Sequence, residues 1–171
     1  MAASFNQYRR WLSEEEEEVD LFADVERDPD DPREAVSFDF DGVFHRSVLP
    51  YRLDPVHYDK PRTWEPRHDI FEKVFEEAKK YKVVVVTARC ITCAPNIWKF
   101  IQHFQLPIED IYCTCDEPKL PLLKKIGAIR HYDDNVDMGK ALVKAGIEFV
   151  PSQPTYCADD EIDEYGDNYY W

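Results

Sequence analysis

A chain of 171 residues is close to the size of one domain and leaves little for a second. Hydrophobic residues make up 44% and aromatics 14%, enough for a core, which excludes wholesale disorder despite 33% charged residues. A net charge of −14 gains nothing from phosphate counterion release, so broad non-specific binding to bare nucleic acid is disfavoured unless the few basic residues cluster on one face.

Phe5, Tyr8, Trp11 and Leu12 recur at roughly helical spacing, Glu14 to Glu18 form an acidic run, and Asp28-Pro29-Asp30-Asp31-Pro32 breaks any helix. Residues 1–33 are therefore read as an acidic, partly helical segment, either a solvated end docked by one turn or a contact for a partner chain. From residue 34 to 150 strands and helices alternate. Ala35–Phe40 and Val83–Thr87 are short apolar runs, the second without polar alternation, as in a parallel strand covered on both faces. Between them Ile70, Phe71, Val74, Phe75 and Ala78 mark a helix over Asp69–Tyr81. A second helix follows Pro95, with Ile97, Phe100, Ile101 and Phe104 at i, i+3, i+4 and i+7. Strands are predicted at Asp110–Cys115, Ala128–Tyr132 and Ile147–Val150, and helices at Lys119–Ile126 and Met138–Ala145, each helix ended by a glycine. Five such alternations predict an α/β fold: a Rossmann-like open parallel five-stranded sheet with helices on both faces. Residues 151–171 revert to an acidic aromatic tail in which Tyr165, Tyr169, Tyr170 and Trp171 either dock on the domain or bind a partner or second subunit.

Ligands of open α/β sheets collect outside the carboxyl ends of the strands. Here those ends carry Asp39-Phe40-Asp41-Gly42, Thr87-Ala88-Arg89 and Asp133-Asp134-Asn135, while Lys119 opens the helix before the fourth strand. Four carboxylates and one ammonium in a single crevice call for a cation, and Mg²⁺ suits an oxygen-only ligand set. The glycines spell neither G-x-G-x-x-G nor G-x-x-x-x-G-K-[ST], so phosphate must be handled by other means.

Asp39-Phe40-Asp41-Gly42-Val43, Thr87, Lys119 with Leu122-Leu123-Lys124-Lys125-Ile126-Gly127, and Tyr132-Asp133-Asp134-Asn135 resemble, in order and at the right element ends, the four motifs of haloacid dehalogenase superfamily phosphatases. The match spans roughly residues 35–150 and is most similar to small nucleotidases and polynucleotide 3′-phosphatase domains. The resemblance implies a Mg²⁺-dependent phosphomonoesterase in which Asp39 is the nucleophile that forms an aspartyl-phosphate. Asp41 becomes the general acid, then the base. Thr87 binds the phosphoryl oxygens and Lys119 neutralises charge. It also implies that Asp39, the backbone carbonyl of Asp41, and Asp134 hold Mg²⁺, with Asp133 a further ligand. Where family members often carry an acid four residues after the metal ligand, this chain has Met138, with Asp137 one residue short.

Forty-seven residues separate Asp39 from Thr87 and 31 separate Thr87 from Lys119, too few for a folded cap once the helices and strand are counted. The enzyme is therefore expected to be capless and to act on nucleotides, polynucleotide ends or phosphoproteins. The Pro-rich loop Val43–Arg67 carries His45, Arg46, Arg52, His57, Tyr58, Lys60, Arg62, Trp64 and Arg67, suited either to phosphate pairing and base stacking or to packing on the sheet. Gly42, Ala88, Arg89, His45 and Arg46 are the candidate substrate-binding residues. Five cysteines, an odd number, argue against a complete disulfide framework and fit a reducing compartment. Cys90, Cys93, Cys113 and Cys115 are either buried thiols or a structural Zn²⁺ site. With no apolar run of about 18 residues and no signal-peptide core at the start, the protein is expected to be soluble and cytoplasmic, without a membrane partner. Two other readings remain: a HAD-fold binding protein that works through its acidic ends with the site unused, and a metal-dependent glycosyltransferase using Asp39 and Asp41 alone.

Overall fold

The computed structural model describes residues 22–47 and 64–152. The expectations for the Phe5–Leu12 segment, for Arg52, His57, Tyr58, Lys60 and Arg62, and for the aromatic tail lie outside the described residues. Among the described residues seven strands, four α-helices and two 3-10 turns follow in chain order. They are β1 Ala35–Phe38, β2 His45–Ser47, β3 Trp64–Pro66, α1 His68–Glu77, β4 Lys82–Thr87, a 3-10 turn Ile91–Cys93, α2 Ala94–His103 and β5 Asp110–Cys113. After them come α3 Lys119–Lys125, β6 Ala128–Asp133, a 3-10 turn Val136–Met138, α4 Gly139–Lys144 and β7 Glu148–Pro151.

The main sheet has the order β5-β4-β1-β6-β7 and every pairing in it is parallel. β1 and β4 are apolar and covered on both faces, which is why their sequences lack polar alternation. One face is covered by α1 and α2, through Ile70, Phe71, Val74, Ile97, Phe100 and Ile101 against Val36, Phe38, Val83 and Val85. The other is covered by α3 and α4, through Leu122, Leu123 and Leu142 against Val84 and Val86. The chain builds outward from β1 through β4 to β5, then crosses to β6 and β7 on the other side. Neighbouring crossovers therefore diverge at the carboxyl end of β1, the place where this fold class opens a crevice. Backbone bonds draw the strand ends together: Asp39 N donates to Tyr132 O at 2.8 Å, and Ser152 N donates to Asp133 O at 2.9 Å.

Several boundaries differ from expectation. β5 stops at Cys113 because Cys115 and Asp116 adopt φ of 50° and 66°, incompatible with a continuing strand. Phe75 is not on the buried face of α1 but 47% exposed, since the packed stripe runs through Ile70, Phe71, Val74 and Glu77. The segment expected as a loop from Val43 to Arg67 contains an antiparallel pair, β2 with β3, in register His45↔Pro66 and Ser47↔Trp64. Trp64 is fully buried against Phe40 and Phe100, so the pair is anchored to the domain through its aromatic side. Two residues ahead of β1 pack on the domain: Phe22 and Val25 are buried with the α3 cluster, and Lys125 Nζ donates to Phe22 O at 2.8 Å. Among the described residues no helix is long and apolar enough to cross a membrane.

Candidate active site

β1 delivers Asp39 into the crevice one residue past its end. Lys119, at the first position of α3, reaches it: Nζ lies 2.8 Å from Asp39 Oδ1 and 2.7 Å from Asp133 Oδ2, with all three residues buried. Asp39 Oδ1 is buried and has no well-aligned hydrogen-bond donor, so the Lys119 contact acts through charge. Burial pushes the Asp39 carboxyl upward; Lys119 opposes the shift, while Asp133 and Asp41 add to it. Burial works against the Lys119 ammonium, but the two carboxylates beside it outweigh that and raise its affinity for the proton.

Asp133 is held from below. Its Oδ1 accepts from Asn135 N at 2.8 Å, and its Oδ2 takes both Lys119 and His131 Nε2, the latter at 2.9 Å. His131 Nδ1 is 2.8 Å from Ser37 Oγ. Burial lowers the pKa of His131, so the ring is neutral, with Nε2–H donating to Asp133 and Nδ1 accepting from the Ser37 hydroxyl. Burial alone would raise Asp133, yet the donors from His131, Lys119 and Asn135 keep it well below the usual carboxylate range. Ser37 and His131 sit opposite one another in the β1–β6 register. Sequence reasoning missed both; Ser37 could have been found as the polar residue interrupting the apolar β1, whereas His131 stands in a strand that also carries Arg130 and Asp133 and gave no such signal.

Asp134 is half-buried and shifted up to about 6, by burial first and then by the Asp133 charge. Its carboxylate lies over the backbone of Gly42, which has φ of 71°; a Cβ there would stand 2.1 Å from Asp134 Oδ2. Glycine is required at 42 for both reasons. Asp39, Asp133 and Asp134 offer oxygens within 4.8 Å of one another. That spacing and an oxygen-only donor set fit a hard divalent cation such as Mg²⁺. The four cysteines do not gather their sulfurs in this way among the described residues.

Asp41, two residues beyond Asp39, belongs to a second cluster. Arg89 grips it with both arms, Nε to Oδ2 at 2.7 Å and Nη2 to Oδ1 at 2.6 Å, and His45 Nε2 lies 3.1 Å from Oδ1. Burial would raise this carboxyl, but the Arg89 and His45 hydrogen bonds carry it well below the ordinary value. Arg89 is buried, with its guanidinium 4.9 Å from the Trp64 ring centre and 5.7 Å from that of Phe40. His45 is buried between Trp64 and Phe40. Arg46 pairs with Glu65 across the β2–β3 ladder, Nη2 to Oε1 at 2.7 Å. Arg67 holds the Gly42 and Ser152 carbonyls, at 2.9 and 2.6 Å, tying the Asp41 turn to the end of β7. The described basic residues of this segment are thus engaged within the protein. Thr87 is fully buried at the end of β4, accepting from Arg89 N at 3.3 Å, while Ala88 is exposed at the rim. Asp39, Lys119, Asp133 and Asp134 therefore meet at one edge, while Asp41, Arg89 and His45 form an adjoining cluster.

No family model matches the sequence, and no curated protein is similar enough to it to count as a match. Among solved structures, a chain from the structure of the Pnkp1/Rnl/Hen1 RNA repair complex is similar in fold, with TM-score 0.55 and 16% identity. The similarity covers 75% of this chain and 46% of that one, so this chain spans less than half its length. At that identity the likeness concerns the fold.

Proposed function

We propose that the protein is a Mg²⁺-dependent, capless phosphomonoesterase of the haloacid dehalogenase type, acting on a phosphorylated end of a nucleotide or polynucleotide. The observation that carries the reading is Lys119 Nζ, set 2.8 Å from Asp39 and 2.7 Å from Asp133 at the carboxyl end of a parallel sheet. An ammonium shared in this way opposes the effect of burial and so favours the ionised, nucleophilic form of Asp39. Similarity of fold to a chain of an RNA repair complex supports the choice of a nucleic-acid end over a phosphoprotein.

In this reading Asp39 attacks phosphorus in line with the leaving oxygen, and the aspartyl-phosphate is then hydrolysed. Lys119 and the Thr87 hydroxyl face the charge that develops on the phosphoryl oxygens. Asp39 and Asp134, with the Asp41 carbonyl, would hold Mg²⁺, which when bound neutralises phosphoryl charge and fixes its orientation. Asp133 serves mainly by fixing Lys119. Asp41 is an anion while Arg89 holds it, the form needed to take a proton from water. To protonate a leaving oxygen it must first take a proton from solvent, which becomes easier when an incoming phosphate draws one Arg89 hydrogen bond onto itself.

The test is hydrolysis of an aryl phosphate with and without Mg²⁺, beside Asp39→Asn and Lys119→Ala. Metal-dependent turnover that both substitutions abolish is expected. Equal turnover in wild type and Asp39→Asn would leave the binding-protein reading standing, and a silent Lys119→Ala would favour the glycosyltransferase one. A panel of 3′- and 5′-phosphorylated oligonucleotides, nucleotides and phosphopeptides then decides the substrate.

A further inference from the structure

Four of the five cysteines lie close to the turn that carries Arg89. Cys90 follows Arg89 directly and is exposed; Cys93 is half-buried at the N-cap of α2. Cys93 N donates to Cys90 O at 2.9 Å, closing a turn across Cys90-Ile91-Thr92-Cys93. A hydrogen-bonded turn keeps its first and last Cα atoms within about 7 Å, which overlaps the range of about 4.4–6.8 Å that a disulfide spans. The turn is also anchored. Ile91 packs against the core, and the preceding residues are strapped to the loop after β5 by Thr114 N to Thr87 O at 2.8 Å, Asp116 N to Ala88 O at 2.8 Å and Cys115 N to Arg89 O at 3.2 Å.

We propose that Cys90 and Cys93 form a redox-active dithiol that closes reversibly to a disulfide by exchange with a low-molecular-weight disulfide such as oxidised glutathione. The exposed Cys90 thiolate attacks one sulfur of the small disulfide and expels the other as a thiolate, leaving a mixed disulfide. The Cys93 thiolate then attacks Cys90 Sγ and expels the second small thiolate. Two protein thiols lose two electrons and two protons, and one small disulfide becomes two thiols. Solvent access assigns the first attack to Cys90.

The other cysteines fit poorly as partners. Cys113 is 3% exposed, and burial first, then the neighbouring thiols, pushes its thiol up to about 12, which leaves it inert near neutral pH. Cys115 sits at φ of 50°, with its amide committed to Arg89 O. A metal-thiolate site would need three or four sulfurs gathered together, which the described cysteines do not offer. A two-cysteine exchange needs only the i, i+3 turn that is present, and such transient chemistry suits a reducing compartment.

The test does not depend on phosphatase activity. The full-length protein is equilibrated with a series of ratios of reduced to oxidised glutathione, quenched with an alkylating agent and digested with trypsin. Cys90 and Cys93 fall in one peptide, residues 90–99, separate from Cys113 and Cys115. Expected is a form of that peptide about 2 Da lighter than the dithiol, appearing and disappearing reversibly with the ratio while Cys113 stays a thiol. Cys93→Ser should trap the glutathione adduct on Cys90, and Cys90→Ser should leave Cys93 unmodified. A stable adduct on wild-type Cys90, a disulfide from Cys90 or Cys93 to Cys113, Cys115 or Cys157, or two thiols that stay independently alkylated at every ratio would each overturn the proposal.

Discussion

Asp39 and Asp41 leave the same strand two residues apart, both largely withdrawn from water, and their carboxyl groups are driven in opposite directions. Asp39 shares a single ammonium with Asp133 and has other carboxylates around it, so burial dominates and its pKa rises. Asp41 faces a guanidinium that donates twice and an imidazole that adds a third contact, and these outweigh burial. Proximity to a cation is therefore a poor guide to protonation at this edge; the number of aligned donors per carboxylate decides it. The contrast suits the proposed chemistry. A carboxylate short of donors is the better nucleophile and metal ligand, while one saturated with them is held in place.

The largest effect on this contrast should come from Lys119→Met, which leaves Asp39 and Asp133 facing one another without a buried cation. We expect a loss of about 3–5 kcal/mol in unfolding free energy by chemical denaturation, together with loss of turnover. Next, the two aspartates should respond with opposite signs. Asp41→Asn strands the Arg89 guanidinium and should destabilise by about 1–3 kcal/mol, whereas Asp39→Asn removes an under-compensated charge and should stabilise the metal-free protein by about 1 kcal/mol. The Asp39 effect carries a pH signature. A carboxyl whose folded pKa is raised takes stability away as pH climbs from its unfolded value through its folded one, so the advantage of Asp39→Asn should grow between about pH 4 and pH 7. For Asp41 the folded pKa is depressed, so its contribution is complete above about pH 4 and is lost only in stronger acid. Denaturation curves at several pH values that gave both substitutions one sign would break the comparison.

Mg²⁺ in the millimolar range should raise the melting temperature of wild type, and more at about pH 7.5 than at about pH 5, because Asp134, at about 6, must be ionised to serve as a ligand. Asp39→Asn and Asp134→Asn should each blunt that rise, and Asp41→Asn much less. The smallest effect is expected at Phe75, which the helical pattern put on the buried face. At 47% exposure Phe75→Gln should alter stability by less than about 0.5 kcal/mol.

The local pattern of residues was enough to determine the alternating α/β architecture, its five parallel strands, the strand ends where Asp39, Thr87, Asp133 and Asp134 stand, and the helix start that carries Lys119. Hydrophobic runs and their period are set by burial of each segment against a layer, and a doubly covered strand such as Val83–Val86 announces itself. Only the tertiary structure decided which cation each carboxylate meets. Arg89 lies 48 residues from Asp41 and closes on it bidentately, His131 and Ser37 pair across a strand register to brace Asp133, and Trp64 returns through β3 to box in both Arg89 and His45. Such partners leave no periodic trace, because a hydrogen bond needs one atom at one distance and angle, and that is set by how the whole chain packs.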